Sequence, residues 1–249
     1  MRYFVYFSYK GTLYHGWQRQ QNAITVQEVM EDAFSIIFRH PVSLVGAGRT
    51  DTGVHARRMV AHFDTEEPIA DKERLTARLN NFLPRDITID YFVPVIDTAH
   101  ARFDAVSRQY QYFCIEEKST FFPDLVTRIP RGMDFEKMNR AAALLLQTDD
   151  FASFCKLHSD VKTTLCKVTQ AEWRQQGEYR VFTIEANRFL RNMVRAIVGT
   201  LFEVGRGKLT VDDFQHIISL RQREAASQSA PAEGLYLMEV RYPQEIFLQ

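Results

Sequence analysis

A glycine-rich loop carries the residues of this sequence that are best suited to chemistry. Residues 46–64 read GAGRTDTGVHARRMVAHFD, and the first half of this segment places Arg49 and Asp51 among three glycines. Glycine adopts backbone angles that a side chain forbids, so the chain can turn sharply and let another molecule approach its backbone. We therefore interpret the segment as a shaped loop that presents one carboxylate, Asp51, beside a guanidinium.

Other catalytic interpretations of this loop are weaker. Asp-Thr-Gly also occurs in aspartic proteases, but that chemistry needs two such aspartates sharing a proton on a mostly β scaffold. This chain has one such tripeptide, and strongly amphipathic helices surround it. A dinucleotide-binding loop would require glycine in place of Asp51 and would open a helix, and a P-loop would continue with Gly-Lys-Ser/Thr.

The histidines and cysteines do not form a metal-binding pattern. The sequence contains no HExxH, HxxxH or CxxC, and Cys114, Cys155 and Cys166 are an odd number of widely spaced cysteines. This pattern argues against both a zinc site and a disulfide framework. The N-terminal MRYFVYFSYKG alternates like a strand, which argues against a signal peptide or a membrane span. We expect no metal, no membrane association and a cytoplasmic location.

The net charge is zero, with 31 basic and 31 acidic residues, whereas nucleic-acid binders usually carry a basic excess. The local distribution is less even, because arginines crowd around the glycine loop and again in a later segment. A neutral total can therefore hide a positive cleft. The residues concerned are Arg49, Arg57 and Arg58, followed by Arg188, Arg191, Arg195, Arg206 and Lys208.

The periodicity of the first half predicts the order βαββαβ of a ferredoxin-like unit. Strands are expected at 2–8, 42–45, 58–63 and 87–95. The segment TVQEVMEDAFSIIFRH predicts a helix whose Thr25 and Glu28 form a capping box. A second helix begins near Asp71, with Leu75, Leu79 and Phe82 directed inward.

The second half repeats this order with insertions. SRQYQYFCIEE alternates as a strand, DFEKMNRAAALLLQ predicts a helix, and a hairpin turns near Gln176 and Gly177. A long helix follows from about Arg188, then a capped helix from Thr210, and finally the strand GLYLMEVRY. We predict an α+β protein with two halves, residues 1–100 and 101–249, each with an antiparallel sheet flanked by helices.

Two further groups of residues stand out by their spacing. Arg188, Arg191 and Arg195 would share one edge of the long helix, which by itself is compatible with a solvated basic edge. Arg195 differs because apolar residues bracket it, so we expect it to have an acidic partner or a phosphate. Tyr110 and Tyr112 point to one face of their strand, which ordinary sheet packing also explains.

Taken together, these motifs resemble the bacterial tRNA pseudouridine synthase A family. The resemblance rests on GAGRTDTGVHA, SRQYQYF, FLRNMVRAIVG and GLYLMEVRYP in this order, with YKGTLYHGWQRQ near the start, and it covers nearly the whole chain. It implies the pseudouridine synthase fold, with two ferredoxin-like halves and a central catalytic cleft. It further implies that a cofactor-free homodimer isomerises uridine to pseudouridine at positions 38 to 40 in the anticodon stem-loop of tRNA.

The resemblance also assigns roles to individual residues. The nucleophilic aspartate falls on Asp51 and the active-site tyrosine on Tyr110. The loop arginine that displaces the target base falls on Arg49, and the helix arginine that pairs with the catalytic carboxylate falls on Arg195. Leu237 matches a hydrophobic position that packs against the site, and we expect Arg58, Arg188 and Arg191 to contact the RNA.

Some alternatives remain open at the level of sequence. Many relatives have histidine or another polar pair where this chain has Arg191 and Asn192, which leaves the role of Arg191 undecided. The carboxylate can attack the sugar or the base, or remove a sugar proton. The family resemblance also allows another RNA target. A non-catalytic RNA-binding module is a further possibility, although the K/R-G-F/Y-x-F run typical of such modules is absent.

Overall fold

The computed structural model describes residues 1–118, 120, 122–156 and 162–248. The chain forms two compact units, of which the first comprises Met1–Val106 and the chain from Tyr236 onward, and the second comprises Ser107–Leu235. The chain passes from the first unit to the second between Val106 and Ser107, a few residues after the boundary predicted near residue 100. The final strand from Tyr236 onward, however, belongs to the first unit and not the second, and there Tyr236 and Leu237 pair with His55 and Ala56.

The strands and helices of the described residues follow in an α+β order. The strands are β1 (Arg2–Tyr9), β2 (Val45–Gly46), β3 (His55–Asp64), β4 (Ile87–Val95), β5 (Ser107–Ile115), β6 (Thr127–Arg128), β7 (Val168–Gln176), β8 (Tyr179–Ala186) and β9 (Leu235–Arg241). The helices are α1 (Val26–Phe38), α2 (Lys72–Phe82), α3 (Phe135–Ala143), α4 (Met193–Gly205) and α5 (Val211–Leu220). The predicted α+β class is confirmed.

The first unit keeps the predicted βαββαβ order and adds β9. Strand β1 lies between β4 and β3 and is antiparallel to both, while β2 pairs antiparallel with β3. Strand β9 runs parallel to β3, with His55 opposite Tyr236 and Ala56 opposite Leu237. The sheet of this unit is therefore mixed, whereas the sequence predicted an antiparallel one.

The second unit has its own strand order. Strand β8 lies between β5 and β7 and is antiparallel to both, and the short β6 is parallel to β5. The predicted hairpin is β7–β8, with Gly177 at a φ of 60° in its turn. Trp173 and Phe182 are buried with their rings 5.1 Å apart, and Phe202 of α4 packs on Trp173 at 6.0 Å.

Helix α1 forms because its apolar residues recur on one side and its first turn is capped. Thr25 accepts a hydrogen bond from the Glu28 N–H at 3.3 Å, which is one half of the predicted capping box. The Glu28 carboxylate pairs with Arg19 at 3.4 Å. Phe34 of this helix is fully buried, and its ring lies 5.2 Å from that of Phe63 on β3. This contact places α1 on one face of the first sheet.

Helix α2 differs from its prediction at its last turn. Asp71 caps the helix by accepting the Arg74 N–H at 2.8 Å, as the predicted start implied. Leu79 is fully buried, but Phe82 is 53% exposed and Leu83, the residue after the helix, is buried in its place. The helix ends at Phe82, so the next residue turns inward from an extended backbone. Among the described residues, no helix is long and apolar enough to cross a membrane.

Candidate active site

The loop that carries Asp51 is held at both ends by backbone hydrogen bonds. It connects β2 to β3, and the Ala47 N–H extends their pairing by donating to the Val60 carbonyl at 2.8 Å. At the other end, the Val54 N–H donates to the carbonyl of Asp51 at 3.1 Å, and Gly53 has a φ of 79°. The backbone of Asp51 is thus fixed in a tight turn, and its side chain is half-buried.

The segment after β1 forms a close backing for this loop. A Cβ on Gly16 would lie 2.2 Å from the Thr50 carbonyl oxygen, and a Cβ on Gly11 would lie 2.0 Å from the carbonyl oxygen of Val54. Both distances are far below van der Waals contact, so only glycine fits at either position. The Tyr9 hydroxyl adds a hydrogen bond of 2.8 Å to the hydroxyl of Thr50.

These backing glycines were missed as site residues from the sequence. Their only signal is the spacing of glycine in KGTLYHGW, directly after the first predicted strand. Trp17 completes the backing, since its buried indole would lie 2.4 Å from a Cβ on Gly46. The loop that presents Asp51 is therefore fixed by backbone contacts as well as by its own turn.

His55 directly follows the loop and has a structural role within the first unit. It is buried, and its Nδ1 accepts a hydrogen bond from the Gly11 N–H at 2.9 Å, which requires an unprotonated Nδ1. Its ring packs against Tyr236 at 4.6 Å. Leu237, the next residue of β9, pairs with Ala56 and is buried.

The arginines near the loop differ in their surroundings. Arg49 and Arg57 are exposed. Arg58 lies 3.6 Å from the Glu239 carboxylate on β9, with half of its side chain exposed. This ion pair is in the first unit, on the sheet face opposite α1, where Tyr6 and Tyr91 stack at 4.6 Å. Of the predicted RNA-binding residues of this unit, Arg58 thus already has an acidic neighbour.

In the second unit, the two tyrosines of β5 differ in burial. Tyr110 is half-buried, and its ring meets the edge of Phe189 at 5.1 Å and 85°. Tyr112 is fully buried, and its hydroxyl bonds to the Thr127 hydroxyl at 2.7 Å and donates to the Pro231 carbonyl at 2.8 Å. Burial raises the pKa of Tyr112 far above its ordinary value. Tyr112 is therefore a core residue, and Tyr110 is the one accessible to a substrate.

Arg195 lies in the first turn of α4 with a fixed orientation. Its Nε donates to the Ala230 carbonyl at 2.7 Å, and the Ala230 N–H donates to the Arg195 carbonyl at 2.9 Å. The helix approaches residues 228–230 closely, since a Cβ on Gly199 would lie 1.9 Å from the Gln228 carbonyl oxygen. These contacts hold the half-buried guanidinium of Arg195 in one direction.

The prediction that three arginines share one helix edge is wrong. Helix α4 begins at Met193, because Asn192 has a left-handed φ of 63° that ends the preceding turn. Arg188 and Arg191 precede the helix. The Arg188 guanidinium donates to the Thr163 carbonyl at 3.4 Å, and Arg191 is exposed. Arg195 is thus the one of the three that the helix positions.

No group of three or more histidine, cysteine or acidic side chains with the geometry of a metal site occurs in the described part of the chain. The three cysteines are buried free thiols. Burial raises the pKa of the Cys114 thiol well above its ordinary value and that of Cys166 to about 11, so neither is activated as a nucleophile. Asp51 remains the candidate for that role.

Comparison with known proteins is consistent over the whole length of the chain. Residues 5–104 and 141–243 match the family described as tRNA pseudouridine synthase. The protein named tRNA pseudouridine synthase A from Porphyromonas gingivalis is 55% identical over 251 residues, which cover 99% of each chain. Proteins of the same name from Parabacteroides distasonis and Bacteroides fragilis are each 53% identical, over 246 and 247 residues, covering 99% of this chain and 98% of theirs.

Proposed function

We propose that this chain modifies positions 38 to 40 in the anticodon stem-loop of tRNA. The chain belongs to the tRNA pseudouridine synthase family and is thus an isomerase acting on uridine in tRNA. The family membership supports the reaction, and the motif resemblance supports the stem-loop target. One structural observation carries the proposal. The half-buried side chain of Asp51 projects from a loop whose backbone is held by close contacts with Gly11 and Gly16.

The reaction explains why a carboxylate is needed in such a loop. The bond between N1 of uracil and C1′ of ribose must break, the base must turn over without being lost, and C5 must bond to C1′ while its proton leaves. We assign Asp51 as the nucleophile. Attack on the sugar, attack on the base and removal of a sugar proton all require the ionised form, held close to the glycosidic bond.

The other assignments follow from the family motifs that the residues occupy. Tyr110 would stack on the extruded uracil, and its hydroxyl would help to move the C5 proton. We assign Arg195 to the carboxylate of Asp51, whose charged form a guanidinium stabilises, and Arg49 to displacement of the base. Extrusion costs a few kcal/mol, which contacts such as that of Arg49 must offset. Arg58, Arg188 and Arg191 are proposed to contact the RNA, with Leu237 supporting the site from the core.

We also propose that the protein acts as a homodimer in the cytoplasm, without a cofactor or a metal. The dimer rests on the family resemblance. The cytoplasmic location is supported by three buried free thiols, which are typical of proteins kept in a reducing compartment.

Site-resolved mapping of pseudouridine tests this proposal. tRNA transcripts with a single uridine at position 38, 39 or 40 are incubated with the wild type and with Asp51→Asn. We expect the wild type to modify these positions and the variant to bind tRNA but not to turn over, because the change is isosteric and removes only the charge. The exposed Asp32 on α1 provides a matched control, and Asp32→Asn should behave as the wild type.

Two outcomes would contradict these assignments. Pseudouridine found only outside the anticodon stem-loop would show another RNA target. If Asp51→Asn kept a tenth of the wild-type rate, the barrier would have risen by only about 1.4 kcal/mol, which is too little for the loss of a nucleophile.

A further inference from the structure

A strongly exposed aromatic ring lies in the turn between β4 and β5. Phe103 is 73% exposed, although it belongs to an ordered part of the first unit. Exposed apolar side chains are common when they stand on mobile loops or lie flat on a surface, but a ring presented by a rigid turn is a ready-made contact. Whether the turn is rigid therefore decides whether Phe103 can serve as a contact for a ligand.

Hydrogen bonds within the turn fix its shape. The His100 N–H donates to the Asp104 carboxylate at 2.7 Å, and the Asp104 N–H donates back to the His100 carbonyl at 3.1 Å. The Nδ1 of His100 accepts the N–H of Arg102 at 3.1 Å. The backbone on either side of Phe103 is thus held by side chains of the same turn.

Further hydrogen bonds attach the turn to the body of the first unit. The Ala101 N–H donates to the buried Nδ1 of His62 on β3 at 3.1 Å, and the Tyr242 hydroxyl donates to the Ala101 carbonyl at 2.6 Å. The Arg2 guanidinium donates to the Ala99 carbonyl at 2.8 Å. Little conformational entropy remains to be lost when a ligand contacts Phe103, so its ring is preorganised.

The immediate neighbours of the ring indicate what kind of ligand fits. The His100 ring lies 4.3 Å from that of Phe103, and the Arg102 guanidinium carbon lies 5.5 Å from its centroid. The guanidinium lies over the Phe103 ring, and proteins stack unpaired nucleobases on aromatic rings and on guanidinium planes. We propose that Phe103 stacks an unpaired base of the bound tRNA, with Arg102 supplying positive charge beside it.

This base is distinct from the uridine that reacts. The turn is attached at His62, whereas the Asp51 loop joins β3 at His55. At roughly 3.3 Å per residue, these two positions are roughly 23 Å apart along the strand. Phe103 therefore contacts the tRNA at a second point, which fixes its orientation. The inference rests on tRNA being the substrate and adds a contact outside the catalytic loop.

Replacement of Phe103 tests the inference by binding. We expect Phe103→Ala to raise the Kd for tRNA roughly five- to 150-fold, the range for loss of one stacked base, about 1–3 kcal/mol. Phe82 on α2 is 53% exposed, and Phe82→Ala is the matched control that should leave the Kd unchanged.

Fluorescence gives a readout that does not depend on turnover. Trp17 and Trp173 are 2% and 4% exposed, so the indole introduced by Phe103→Trp would be the accessible one. We expect tRNA to quench its emission with a Kd within about twofold of the wild type, since a larger ring stacks at least as well.

Three outcomes would overturn the inference. One is an unchanged Kd for Phe103→Ala, and another is an introduced indole whose emission tRNA does not alter. The third is emission that shifts with protein concentration in the absence of RNA, because a second copy of the chain would then cover the ring. If the wild type itself neither bound nor modified tRNA, the proposed function would fail first, and this inference with it.

Discussion

Asp51 and His55 lie close together in sequence but differ in their surroundings, because Asp51 is half-buried in a turn whereas His55 is buried and accepts a hydrogen bond from the Gly11 N–H. The sequence singles out Asp51 as a candidate because glycines surround it and the motif around it is specific. The role of His55 could not be predicted, since it depends on a hydrogen bond from the distant Gly11. Gly11 and Gly16 were overlooked for the same reason. Their contacts involve carbonyl oxygens of a loop that is remote in sequence, and no periodicity reports such a contact.

His62 provides a test at this scale through the pH dependence of stability. Burial is the main cause that lowers its pKa to about 4, and the Arg2 charge contributes, while Asp64 acts in the opposite direction. The unfolded value is about 6.5, so the folded state binds fewer protons than the unfolded state between these values. The stability that neutral His62 contributes is present above about pH 6.5 and is lost as the pH falls towards 4.

We therefore expect His62→Asn to weaken the pH dependence of the free energy of unfolding between pH 6.5 and 4. The amide oxygen of asparagine can accept the Ala101 N–H without titrating. Urea denaturation at several pH values measures the slope. The exposed His40 serves as the control, and His40→Asn should keep the wild-type slope. Equal slopes for His62→Asn and the wild type would show that His62 does not titrate as described.

At the scale of elements, the apolar pattern predicted where most helices and strands lie but not how they end. The bounds predicted for β4 match those observed, because alternation and the following turn agree there. The predicted α4 began too early in the sequence. Leu190 is buried and continues the apolar spacing, although it precedes the helix. The left-handed Asn192 that separates the two leaves no mark on the hydrophobic pattern. The prediction that Phe82 points inward was wrong for a similar reason, because Phe82 is the final residue of α2.

A substitution at Gly16 tests whether the segment after β1 positions the loop that carries Asp51. We expect Gly16→Ala to lower turnover on the order of 10²-fold, because its Cβ would displace the Thr50 carbonyl and move Asp51 out of position. Its φ of 85° adds backbone strain. Steady-state kinetics, together with thermal denaturation, separates the two effects.

Gly132 is the matched control for that strain. It has a similar φ of 77°, and a Cβ there would meet no atom within 4 Å. Gly132→Ala should lose about 1–2 kcal/mol of stability through its left-handed backbone and keep its turnover. A loss of turnover of the same size in both variants would mean that strain alone, without displacement of the loop, explains the effect of Gly16→Ala.

At the scale of the whole molecule, a protein of zero net charge is proposed to hold a polyanion. Two of the arginines that the sequence associated with RNA have acidic partners, since Arg206 pairs with Glu203 and Arg58 lies near Glu239. Arg57 is exposed and serves as the probe, although its charge also acts on the Asp90 carboxylate. Each phosphate contact releases counterions, so we expect tRNA affinity to fall steeply with salt.

Removing one contact should reduce that dependence by a defined amount. We expect Arg57→Gln to weaken tRNA binding and to lower the slope of log K against log salt by about 0.9. Lys72 at the start of α2 is also exposed, and Lys72→Gln should change neither quantity. Binding that is almost independent of salt, or equal effects of the two changes, would place the RNA elsewhere on the protein.

The return of β9 to the first unit has a consequence for the order in which the protein is completed. The second unit is continuous in sequence, from Ser107 to Leu235, whereas the first is made from two separate stretches of chain. During synthesis, the edge of β3 at His55 and Ala56 can therefore pair with Tyr236 and Leu237 only after the whole of the second unit has been synthesised. The strand that follows the Asp51 loop thus gains its parallel neighbour later than its antiparallel ones, which all belong to the first stretch of the chain.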